Sequence, residues 1–173
     1  MAGGLPGEVE YLTEEYTPPS GALGPVPVGA VALPRDCKRV LLLISRSGEK
    51  AQVFALPDDT SASLAGKVRF VNLTNTNIGV QSAKDTRTAI APSKELVLSP
   101  NCADSTLIAR LAYEKDGAWP MLKDAVFPAP VSVMTTVFFL RSDDGSFRSM
   151  DGQILGPIQM FAMRVPVNPP ASP

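Results

Sequence analysis

The chain has no histidine. That removes the commonest metal ligand and the side chain that titrates near neutral pH. Ser–His and Cys–His catalysis therefore cannot be assembled from this chain alone. Thiol ligands are equally scarce, since Cys37 and Cys102 are the only cysteines, too few for a zinc or copper site of the usual kind. Long hydrophobic runs are absent too. The longest, 40–44 and 131–140, fall far short of the about 20 residues that span a bilayer, so no membrane span is expected. Neither sign of charge dominates: sixteen Lys and Arg face seventeen Asp and Glu, a net charge of −1 with no extended basic run. The electrostatic footprint of a nucleic-acid binder is missing. The opening residues MAGGLPGEVE lack the basic-then-apolar layout of a secretory signal. The chain is then either cytoplasmic or a mature form with an added Met1, in which case it is extracytoplasmic, in the envelope or periplasm.

What is present points to strands. A length of 173 residues suits one domain, and 45% hydrophobic residues suffice for a packed core. Seventeen prolines and thirteen glycines suit a loop-rich β protein better than a helical one. Residues 1–35, punctuated by Pro18, Pro19, Pro25, Pro27 and Pro34, read as an extended N-terminal arm. Residues 36–165 read as the folded domain and 166–173 as a Pro-rich tail. Within the domain, short apolar segments recur with turn residues between them, the grammar of an all-β, single antiparallel β-sandwich of the Ig-like, Greek-key type.

The run Val40-Leu41-Leu42-Leu43-Ile44 reads as a central strand buried on both faces, returning through 51–56 after a turn at Ser47-Gly48-Glu49. Lys67–Leu73 changes phase part-way: Val68 and Phe70 share one face, Val71 and Leu73 the other. Either a strand buried on both faces or a bulge near Phe70-Val71 accounts for it. Asn75-Thr76-Asn77 supplies a turn, and strands follow at 78–83, 87–91 and 95–99. Residues 105–113 fit a strand with Leu107, Ala109, Leu111 and Tyr113 on one face. A helix over 104–114 also fits, but continuity of pattern favours the strand. Gly117-Ala118-Trp119-Pro120 reads as a turn, 121–127 and 131–141 as strands, and 158–165 as the last strand.

Few residues offer chemistry. Ser142-Asp143-Asp144-Gly145-Ser146 is rich in oxygen ligands, but its spacing is not that of a calcium loop, and a hairpin turn uses the same residues. Asp58-Asp59 likewise suits a turn. The carboxylates are scattered, with no pair framed for glycoside hydrolysis. No catalytic, cofactor or metal residue is expected. Cys37 and Cys102 each end a predicted strand; a disulfide between them would add about 3–4 kcal/mol through loop-closure entropy, and two separate buried thiols fit as well. Trp119 and Tyr113, with Tyr11 and Tyr16, are the aromatic candidates for contact with a saccharide, although a lone Trp also serves as a plug at a core edge. Asn72-Leu73-Thr74 matches a glycosylation acceptor inside a predicted strand.

Val68-Arg69-Phe70-Val71-Asn72-Leu73-Thr74, the short strand Ile78–Val80, Ile90-Ala91-Pro92 and Glu95-Leu96-Val97-Leu98 together resemble envelope-associated β-sandwich proteins of planctomycete- and verrucomicrobia-like bacteria. The likeness extends loosely over residues 38–165. It implies an exported, all-β, non-enzymatic protein, with no catalytic residue to carry over. The expected function is a structural or protein-interaction module of a bacterial envelope or surface assembly. Its partners would be proteins, including further copies of itself joined through the N-terminal arm. A carbohydrate-binding β-sandwich module is the alternative.

Overall fold

The structure, a computed structural model, describes residues 31–34, 39–47, 50–58, 62–82, 87–141, 147–148 and 154–167. Among them all regular structure is β apart from one short 3₁₀ turn, Ala62–Leu64. The chain divides into two compact units, Met1–Asp59 and Thr60–Pro173. Most of residues 1–35, the tail beyond Val167 and Cys37 lie outside the described residues.

In the first unit, β1 (Val40–Ser47) and β2 (Lys50–Pro57) form an antiparallel hairpin with Ser47 opposite Lys50. Arg39 closes its open end by pairing with Asp58 at 2.8 Å, which accounts for the first of the two adjacent aspartates. The expectation of a central, doubly buried strand fails for β1. Among the described residues its sheet has two strands, and Leu42 and Ile44 are 53% and 64% exposed. Five consecutive apolar residues set a strand's composition, but burial on both faces also requires further neighbours, and among the described residues β1 pairs with β2 alone.

The second unit holds β3 (Val68–Asn72), β4 (Ile78–Ser82), β5 (Arg87–Ile90), β6 (Glu95–Leu98), β7 (Thr106–Tyr113), β8 (Met121–Pro128) and β9 (Val133–Arg141). A short pair, β10 (Phe147–Arg148) and β11 (Ile154–Gly156), precedes β12 (Ile158–Pro166). Two open four-stranded sheets result, ordered β12-β9-β3-β6 and β5-β4-β7-β8. Buried residues from both sheets merge into one core, with Phe70 at its centre. Its ring meets Phe127 edge-on at 5.3 Å and stacks with Phe139 at 6.1 Å. The pairings are antiparallel except β3 with β9, which run parallel, a departure from the purely antiparallel expectation.

The phase change in the β3 segment is explained by burial: all five residues of β3 are buried, and its ladders carry no bulge. β9, its neighbour, is almost wholly buried as well. β7 is a strand, as its alternation suggested, with Leu107, Ala109 and Leu111 inside and Ile108 and Arg110 outside.

Asn72 fixes the passage from one sheet to the other. Fully buried, it donates from Nδ2 to the carbonyls of Thr76 (2.8 Å) and Ile90 (2.7 Å). Its Oδ1 accepts from the Thr74 backbone N–H at 2.9 Å, and the Thr74 hydroxyl lies 2.7 Å away. Thr76 in turn donates from Oγ1 to the Glu114 carbonyl at 2.6 Å. An amide used in this way inside the core is closed to glycosylation in the folded chain, which removes the acceptor reading of Asn72-Leu73-Thr74.

Candidate ligand groove on the outer face of one sheet

The turn that places Trp119 is local in origin. Asp116 and Gly117 both adopt positive φ, 51° and 77°, and Lys115 and Ala118 exchange backbone hydrogen bonds at 2.9 Å in each direction. That is the mirror-image hairpin turn that an Asp-Gly pair favours. The turn therefore spans 115–118, two residues earlier than the predicted 117–120, and Trp119 lies just beyond it. From there the indole reaches back over the sheet.

Register gives the surface beneath it. Ala89, Gly79 and Ala112 lie side by side on β5, β4 and β7, facing away from the core, with Met121 of β8 completing the row. The next outward row is Arg87, Gln81, Arg110 and Asp124. Three small residues in adjacent strands make a trough, and Trp119 occupies part of it. A Cβ built on Gly79 would lie 3.1 Å and 3.2 Å from Cζ3 and Cε3 of the indole. Gly79 is thus the floor on which the ring rests.

Trp119 remains 47% exposed, so it is not the core plug that a lone Trp often is. Together with Gly79, Ala89, Ala112, Met121, Arg87 and Arg110 it lines a groove of about 470 Å³, of the size that small ligands occupy. Arg110 donates from Nε to Asp124 Oδ1 at 2.9 Å. That hydrogen bond, reinforced by the carboxylate's charge, raises the Arg110 pKa above its ordinary value. Arg87, also exposed, meets no hydrogen-bond or ion-pair partner among the described residues.

No family model, curated protein or solved structure matches this chain.

The two aromatic candidates are not brought together. Tyr113 follows Leu111 on the inward face of β7 and packs against the core. It lines a second, more polar groove with Asn75, Glu114, Arg141 and Pro157. Tyr11 and Tyr16 lie outside the described residues, as do Ser142–Ser146. Cys102 is a partly buried free thiol 3.5 Å from Asn101 Oδ1, and its candidate partner Cys37 lies outside the described residues. Among the described residues no three His, Cys, Asp or Glu side chains gather into a metal-sized cluster, and no helix is long and apolar enough to cross a membrane. Sequence reasoning missed Gly79 and Arg87. A glycine inside a predicted strand was the available signal for Gly79, since it marks a close approach. Nothing in the local sequence distinguished Arg87.

Proposed function

We propose that this chain is a non-enzymatic carbohydrate-binding module, built on a β-sandwich of the Ig-like, Greek-key type and taking saccharide at the Trp119 groove. One observation carries the reading: a half-exposed indole held over a trough of Gly79, Ala89 and Ala112, beside the polar row of Arg87, Gln81 and Arg110. Sugar rings offer apolar C–H faces that stack on an indole, and hydroxyls that bond to guanidinium and amide groups. The sandwich reading is supported by two open four-stranded sheets sharing one core. Trp119 is the only tryptophan, so its emission reports the groove alone. Titration with a broad panel of neutral and acidic polysaccharides is expected to shift that emission, and silence across the panel overturns the reading.

A second reading, the protein-interaction module of a bacterial envelope or surface assembly, is favoured by the same sheet's other outward residues. Ile108 and Val126, paired across β7 and β8, are exposed, and clustered apolar exposure marks protein contacts. Under this reading the chain self-associates through residues 1–35. Light scattering before and after removal of residues 1–27 tests it, and an unchanged monomer overturns it.

A further inference from the structure

We propose that the saccharide is acidic: a hexuronate whose ring lies on Trp119 and whose carboxylate is held by Arg87. The proposal rests on the carbohydrate reading of the groove and adds the charge class of its occupant.

Among the described residues the ionic groups lining the groove are both cationic, Arg87 and Arg110, although the chain as a whole is slightly acidic. They are not equivalent. Arg110 is already engaged by Asp124, from the neighbouring strand, at 2.9 Å. Arg87 stands across Gln81 on the edge strand β5, with no ion pair among the described residues. A planar guanidinium with its donors unspent is the side chain best suited to bind a carboxylate through two parallel hydrogen bonds.

The spacing suits a hexuronate. The polar row lies two residues along the strands from the small-residue row under the indole, a step of about 6.6 Å. A carboxylate projecting from a pyranose ring, plus one hydrogen bond, spans a comparable distance. The ring can therefore stay on Trp119 while its acid reaches Arg87. A neutral hexose would satisfy the indole and leave the guanidinium without its carboxylate.

The test compares trigalacturonate with its methyl ester, which keeps the rings and removes the charge, by following Trp119 emission in the full chain. The acid is expected to bind about tenfold more tightly than the ester at low salt. Arg87→Gln should bring acid and ester to near-equal affinity, by weakening acid binding far more than ester binding, with the melting temperature unchanged because Arg87 is exposed. Asp124→Asn, which releases Arg110, should tighten acid binding. Equal affinity for acid and ester overturns the acidic class and leaves the saccharide reading standing. Binding of an oligoglutamate as tight as that of trigalacturonate also overturns it, because charge alone would then suffice. No response to any saccharide overturns both readings.

Discussion

Asn72 and Thr136 occupy neighbouring strands of one sheet and carry opposite predictions. Every polar atom of the Asn72 side chain has a partner, and those partners belong to the turn after β3 and to the end of β5. Asn72→Ala removes the amide's bonds to the Ile90 carbonyl and the buried Thr74 N–H, while the Thr76 carbonyl keeps the Thr74 hydroxyl at 3.0 Å, and should cost about 2–4 kcal/mol. Asn72→Asp is expected to be worse, since it replaces two donated hydrogen bonds with a carboxylate oxygen facing two carbonyls. Urea midpoints of the two variants check the size and the order. Thr136 is the contrary case: its buried hydroxyl Oγ1 has no hydrogen-bond partner among the described residues. Thr136→Val keeps the shape and removes the unmet group, so it should raise stability by about 1 kcal/mol, read as a higher melting temperature.

At the scale of elements, the Asp116-Gly117 turn and the Gly79 floor are separable parts of one groove. Gly79→Ala would set a methyl group against the indole, and the ring must shift by a few tenths of an ångström or tip outward. The expected result is a red-shifted Trp119 emission and weakened saccharide binding, with little change in the urea midpoint because the core face of β4 is untouched. A core-dominated loss of stability would contradict this account of Gly79. Most of the strands were legible because alternation or an apolar run accompanies turn chemistry at each break. The position of each strand in its sheet was not. Val40–Ile44 and the run ending at Leu140 look alike as sequence, yet among the described residues β9 gains ladders on both sides and β1 on one. Long-range pairing decides that difference, and no local pattern encodes it. The same holds for the groove: Trp119 drew notice as a lone aromatic, while its floor and its cation come from strands paired across the sheet. β10 falls within the return strand that the sequence suggests over 147–150, whereas β11 escaped notice because Ile154–Gly156 is three residues long and ends in glycine.

For the whole molecule, protection should follow ladder number rather than hydrophobicity. β3 and β9 each have partners on both sides and are buried, so their amides should exchange most slowly with deuterium. Those of β1 and β2, which pair only with each other among the described residues, should exchange orders of magnitude faster despite the leucine-rich sequence of β1. Exchange followed by mass spectrometry checks the ranking, and an equally protected hairpin would overturn it. The parallel ladder between β3 and β9 has a consequence for synthesis. Val68 sits beside Thr135 and Asn72 beside Phe139, so the centre of that sheet joins distant segments of the chain. While the nascent chain emerges, β3 can meet β6 early, but its other edge stays open until β9 has been translated. An unfinished edge on an apolar strand invites pairing with other chains. Overproduction is therefore expected to favour inclusion bodies unless translation is slowed or a holding chaperone covers the edge that β3 leaves waiting.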